Sequence, residues 1–229
     1  MALIQCRKLT RVYQSGVEEI RPLDGVDLSI DQGQFVALMG PSGSGKTTLL
    51  NLLAGIDRPT SGELIIDDQS VGELSRNKLA TWRSEHVGYV FQLYNLVPVL
   101  TAYENVELPL LLKPLTPKER HERVAAALEV VGIADRHLHY PRQLSGGQEQ
   151  RVAIARAIVT EPTLLLADEP TGDLDKSSAV AVMELLKLLN EEHGRTIVMV
   201  THDIKTAEYA DLLLNLEKGR LIEGQGATS

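Results

Sequence analysis

The chain has 229 residues, 43% of them hydrophobic and 24% charged, with a formal net charge of −8. That length suits one large domain with a sizeable core, and the composition excludes disordered and fibrous classes. The acidic balance argues against a duplex nucleic-acid binder, which needs a basic stripe, and a single cysteine, Cys6, excludes an intramolecular disulfide framework.

Residues 1–13 contain no signal-like apolar region, and the longest apolar runs, such as 108–112 with Pro109 inside, are too short to span a bilayer. The expectation is a soluble, cytoplasmic-type chain that meets a membrane only through a partner. Val26, Leu28 and Ile30 alternate with Asp27 and Ser29, which predicts a half-buried strand; residues 34–39 predict a second. Residues 46–56 predict a helix ended near Gly55 and Pro59, and 63–67 another strand. Antiparallel β-structure is thus expected to lead into a βαβ unit.

Thr116-Pro117-Lys118-Glu119 is a capping box with proline at the first helical position. Val124, Leu128 and Val131 then share one helical face, and Gly132 closes the helix. Ser145 and Gln148 form a second capping-box pattern, opening a helix whose apolar face holds Val152, Ala155 and Val159. Residues 93–160, in round terms, are expected to form a helical insert. Residues 163–167 predict a strand buried on both faces, 176–192 an amphipathic helix ended by Gly194, and 196–200 another apolar strand. Residues 212–216 and 221–223 predict a terminal hairpin. Strands alternating with helices imply a parallel α/β core.

Gly40-Pro41-Ser42-Gly43-Ser44-Gly45-Lys46-Thr47 fits the spacing G-x-x-x-x-G-K-[ST] between a predicted strand and a predicted helix. Its glycines let successive N–H groups converge on phosphate oxygens, at the positive end of the following helix. Lys46 is expected to neutralise the β- and γ-phosphates and the Thr47 hydroxyl to ligate Mg²⁺, with Thr48 next in the nucleotide-binding set. Residues 77–80 fail the N-K-x-D pattern of guanine-specific enzymes at the last position, which favours ATP.

The predicted strand 163–167 ends in Asp168 and Glu169. Ligands gather at the carboxyl ends of parallel strands, so Asp168 is expected to hold Mg²⁺, through water or directly, and Glu169 to polarise an attacking water. His202 follows the next apolar strand and is expected at the same sheet edge.

Leu144-Ser145-Gly146-Gly147-Gln148, read with the phosphate loop, Gln92, Ala167–Thr171, Gly172-Asp173-Leu174-Asp175 and His202 in that order, resembles the ATP-binding subunits of ABC transporters over nearly the whole chain. Ser145 caps a helix that begins with bare glycines, which makes a second phosphate cradle. The resemblance implies an α/β P-loop NTPase fold: one domain over 1–229, with a catalytic core of about 1–92 and 161–229, an N-terminal antiparallel β subdomain and the helical insert as a subdomain. It implies an ATPase using ATP and Mg²⁺. It also implies a head-to-tail homodimer in which Ser145, Gly146, Gly147 and Gln148 of one copy cover the nucleotide of the other. By the same resemblance, Tyr13 stacks on adenine, Gln92 reaches Mg²⁺ and the attacking water, His202 contacts the γ-phosphate, and Asp175 links the two sites. The sequence departs from the family pattern at Glu149 and Asp173, neither of which removes a catalytic group.

Trp82, Tyr89, Phe91, Tyr94 and Tyr103 concentrate around Gln92 in a chain with few aromatics. Tyr89 and Phe91 are expected in the core. Tyr94 and Tyr103 are expected outward, with Leu96, Val97 and Leu100, as a groove for a permease helix. The string 91–112 resembles the branch serving lipoprotein release, macrolide efflux and antimicrobial-peptide export. That implies a bacterial export or extraction system with an integral-membrane permease on a separate chain. The subunit would then sit peripherally on the cytoplasmic face of the inner membrane, with no nucleic-acid partner. An importer subunit and a non-transport ABC ATPase are the competing readings.

Overall fold

The computed structural model describes residues 1–16 and 18–222. Two sheets organise it. The first is antiparallel and runs β2 (Glu18–Asp31), β1 (Ala2–Ser15), β4 (Ser61–Ile66), β5 (Gln69–Ser70) from edge to edge. The second runs β10 (Arg220–Ile222), β9 (Leu212–Glu217), β3 (Phe35–Met39), β8 (Thr196–Val200), β7 (Leu164–Asp168), β6 (Val87–Val90), parallel except for β10.

The continuous apolar strands have two cores to fill. Val36, Leu38, Leu164, Leu166, Val198 and Val200 face α1 (Lys46–Leu53) and the antiparallel sheet. Phe35, Ala37, Leu165, Ala167, Ile197 and Met199 face the opposite core with buried positions of residues 102–133, 152–159 and 182–189. Successive strand residues alternate between the two, so the strand interiors are apolar, and the polar Asp168 and Thr196 stand at strand ends, Thr196 buried and accepting from the Gly33 amide.

The stretch between β6 and β7 is helical, as expected: α3 (Ala102–Glu107), α4 (Pro117–Val130) and α5 (Gly146–Ile158), with short 3₁₀ turns between them. Both predicted capping boxes are present, Thr116 with Glu119 and Ser145 with Gln148. Val124, Leu128, Val131, Val152, Ala155 and Val159 are all buried. Then come α6 (Lys176–Glu191), closed near Gly194, and the short α7 (Ile204–Ala207).

Three expectations change. Residues 46–66 do not complete a βαβ unit with β3, because β4 leaves the parallel sheet and pairs antiparallel with β1. A helix that the periodicity did not predict, α2 (Arg76–His86), buries only Leu79 and Trp82, too few apolar positions to register as a pattern. β1 went unpredicted because register shifts against β2 break its alternation. The predicted hairpin is present through Ile222; Glu223 lies outside the described residues.

Candidate active site

Four adjacent parallel strands deliver the chemistry to one edge. β3 ends in the phosphate loop, β8 in Thr201 and His202, β7 in Asp168 and Glu169, and β6 in Phe91 and Gln92. β8 lies between β3 and β7, so Asp168 reaches across one strand to the loop.

Residues Gly40 to Gly45 curl tightly between β3 and α1, with Gly40, Gly43 and Gly45 at φ 146°, 78° and 105°. A methyl on Gly40 would collide with the Leu216 carbonyl, and one on Gly45 with the Pro22 carbonyl. The β9–β10 turn supports the loop from behind, the Gly219 amide donating to the Ser44 carbonyl at 3.2 Å. Pro41, Ser42 and Gly43 form the exposed rim. Lys46 Nζ donates to the Gly40 and Pro41 carbonyls at 2.7 and 3.0 Å. Ser44 Oγ is buried without a hydrogen-bond partner, the kind of orphaned group that an anion in the loop satisfies. Thr47 and Thr48 open α1.

Burial and the neighbouring Glu169 push the Asp168 carboxyl above the ordinary range, while the Thr47 hydroxyl and Lys46 pull it back. One carboxylate beside a hydroxyl is a hard-oxygen donor set that suits Mg²⁺ completed by phosphate oxygens. No protein-only metal cluster of His, Cys, Asp and Glu exists among the described residues. Glu169 takes a left-handed φ of 49°, and its amide donates to the Val200 carbonyl at 2.9 Å. That turn brings its carboxylate to His202 Nδ1, 2.8 Å away. Gln92 is exposed, and its amide lies over Gly172, where a methyl would stand 3.0 Å from Nε2.

Tyr13 donates its hydroxyl to Asp57 at 2.5 Å, and the Arg11 guanidinium covers one ring face at 4.4 Å. Any base that stacks on Tyr13 must use the other face.

Ser145, Gly146, Gly147 and Gln148 form the first turn of α5 and its cap. A methyl on Gly146 would meet the Tyr94 hydroxyl and Leu174, and one on Gly147 would meet Ser178. These neighbours are none of those that surround the phosphate loop. Asp175 caps α6, accepting from the Ser177 and Ser178 amides at 2.9 and 3.0 Å and from both hydroxyls, which holds its carboxyl far below the ordinary range. Through Ser178 it therefore touches the Gly147 turn.

Tyr94 and Tyr103, expected outward, are half-buried. Tyr94 packs on Gly146, and Tyr103 and Leu96 pack against the core, the Tyr103 hydroxyl lying 3.1 Å from His121 Nδ1. Tyr89, expected inside, packs against the core that holds α1 while staying half-buried, and with half-buried Phe91 forms a tilted ring pair at 4.3 Å along a groove of about 290 Å³ with Ile56, Pro109 and Leu112. Sequence reasoning also passed over Arg156, whose signal was a charge set inside the apolar Ala153–Ala157 run of α5.

The ABC transporter family model matches residues 23–172. The ABC transporter ATP-binding protein MJ0796 of Methanocaldococcus jannaschii is 46% identical over 96% of this chain and 95% of its own. Its dimeric structure in a post-hydrolysis state, bound to ADP and Pi, superposes with TM-score 0.90, 43% identity and 99% of both chains covered. The lipoprotein-releasing system ATP-binding protein LolD of Idiomarina loihiensis is 42% identical over 98% of this chain and 99% of its own. The macrolide export ATP-binding/permease protein MacB of Hyphomonas neptunium is 48% identical over 98% of this chain, which spans 35% of that longer protein. The chain belongs to the ABC transporter family, as an ATP-binding subunit of the branch that includes LolD, MacB and MJ0796.

Proposed function

We propose that this subunit is the motor of an export or extraction system, hydrolysing ATP in a head-to-tail homodimer that drives a membrane permease carried on another chain. The observation that carries the reading is the meeting of Lys46, Thr47, Asp168, Glu169 and His202 at one sheet edge, while Ser145 to Gln148 form a second cradle with separate neighbours. One nucleotide does not need two cradles from one chain; two copies facing each other use both.

In this mechanism the phosphate loop amides and Lys46 bind the β- and γ-phosphates of ATP, and the free face of Tyr13 receives the adenine. Thr47, Asp168 and Gln92 would hold Mg²⁺, which when bound neutralises phosphate charge. Glu169 accepts the proton of the attacking water, and His202 orients that carboxylate and reaches the γ-phosphate. The partner copy's Ser145 cap and glycine amides close over the γ-phosphate, and Asp175 joins the α6 cap to that closure.

No helix among the described residues is long and apolar enough to cross a membrane. Membrane work therefore requires a docking surface. The groove of Ile56, Tyr89, Phe91, Pro109 and Leu112 is the surface for a short cytoplasmic helix of the permease. It replaces the Tyr94–Tyr103 face that the sequence suggested. Leu112 is 80% exposed and Ile56 52%.

Glu169→Gln tests the motor. The amide keeps the shape but accepts no proton, so turnover is expected to fall by about 10²–10⁴ while ATP binding persists and ATP holds the chain as a dimer in light scattering. Hydrolysis at half the normal rate in this variant would remove Glu169 as the base.

A further inference from the structure

A strained turn directly follows Gln92. Tyr94 and Asn95 have φ of 53° and 49°, two consecutive non-glycine residues in the left-handed region. Asparagine tolerates this conformation but a tyrosine side chain disfavours it, so contacts from outside the turn help to hold it. Arg156, near the end of α5, supplies them. Its Nη2 donates to the Tyr94 carbonyl at 2.7 Å and its Nη1 to the Asn95 carbonyl at 2.6 Å. Among the described residues Arg156 forms no ion pair, so its largely desolvated charge is met by these two carbonyl dipoles.

The turn has working groups on both sides. Before it, the Gln92 amide lies over Gly172. Within it, the Tyr94 hydroxyl packs on Gly146, where a methyl would stand 2.9 Å away. Earlier on α5, buried Gln150 donates to the Pro170 carbonyl at 2.8 Å, immediately after Glu169. One helix therefore carries the glycine cradle at its N-terminus and grips, through Gln150 and Arg156, the segments that follow Glu169 and Gln92.

We propose that Arg156 is a positioning residue for hydrolysis: by clamping the Tyr94 and Asn95 carbonyls it fixes the left-handed turn that sets Gln92 for its own site and Gly146 for the partner's. The role rests on the function read above for Gln92 and the glycine cradle. Arginine is required because its planar fork serves two carbonyls at once, whereas lysine offers a single point charge on a flexible stem.

The test compares Arg156→Lys, Asn95→Gly and the two combined. Backbone chemical shifts of Tyr94 and Asn95, which report φ, are measured first, without nucleotide. The unaltered chain is expected to show left-handed values at both residues and Arg156→Lys to lose them. In ATPase assays Arg156→Lys is expected to lose about 10- to 10²-fold in kcat, with KM for ATP and calorimetric ATP affinity changed by no more than about twofold. Glycine adopts positive φ at no steric cost, so adding Asn95→Gly is expected to restore part of kcat in the Arg156→Lys background and to change little alone. An Arg156 that served only to pack α5 would not respond to a glycine in the turn, and one that only stabilised the fold would not lower kcat while leaving ATP affinity unchanged. Unchanged shifts in Arg156→Lys, unchanged kcat, or no rescue by Asn95→Gly would each overturn the proposal. If the unaltered chain fails to hydrolyse ATP, the motor reading fails, and the shift comparison still decides whether Arg156 holds the turn.

Discussion

His202 Nδ1 lies 2.8 Å from Glu169 Oε2, joining the ends of two neighbouring parallel strands. The carboxylate is mostly enclosed and the imidazole mostly open, with side-chain exposures of 17% and 72%. The ring therefore tethers the carboxylate from the solvent side, which in the proposed mechanism is where the attacking water and the γ-phosphate enter. His202→Ala is expected to lower turnover by about 10- to 10²-fold, less than loss of the base itself. Because the two act as a unit, His202→Ala added to Glu169→Gln should cost little more than Glu169→Gln alone in single-turnover assays. Additive losses would mean that the residues work independently.

Gly45 combines φ 105° with a backbone neighbour, the Pro22 carbonyl, where a methyl would have to sit. Neither can give way without moving β2 or the phosphate loop. Gly45→Ala is therefore expected to cost about 2–4 kcal/mol, which in a chain of this size lowers Tm by roughly 5–15 °C. Calorimetric scanning checks it; an unchanged Tm would show that the loop relaxes at no cost.

The glycine cradle and the phosphate loop have separate neighbours, so each is expected to act on a different nucleotide. Lys46→Ala should weaken ATP binding by about 10²-fold, since it removes a charge-assisted contact. Ser145→Arg should leave ATP binding to the single chain intact and block closure by bulk. Mixing the two inactive variants should restore activity, because random pairing leaves about a quarter of all sites with neither defect. Activity that stays at the level of the separate variants would count against assembly in trans.

Cys6 is buried in the core beneath the antiparallel sheet, and burial, with Asp27 adding, pushes its thiol up to about 12 from 9.0. Its thiolate fraction near pH 8 is therefore about 10³-fold below that of an unperturbed thiol, and alkylation of the folded chain should be slow in proportion. The sign for stability follows: above pH 9.0 the unfolded chain releases this proton while the folded chain keeps it, so stability falls as pH rises from 9.0 toward 12. Rapid labelling at pH 8 without denaturant would contradict the burial.

Much of the fold and the site was legible because it is written in short-range terms. The phosphate loop needs only its glycines, Lys46 and Thr47 between a strand and a helix. The capping boxes at Thr116 and Ser145 close within four residues, and the apolar runs of β7 and β8 announce burial on both faces. The placement of Asp168, Glu169 and His202 together followed from strands that all end at one edge. The tertiary structure alone decided that β4 leaves β3 for β1, that β8 separates β3 from β7, that Tyr94 lies against Gly146, and that Arg156 donates to the carbonyls of the turn after Gln92. Each of these depends on groups far apart in the chain whose pairing is set by sheet order and helix packing. Periodicity and spacing report which face a residue presents to its neighbours in sequence, but carry no information about which distant strand or carbonyl will meet it.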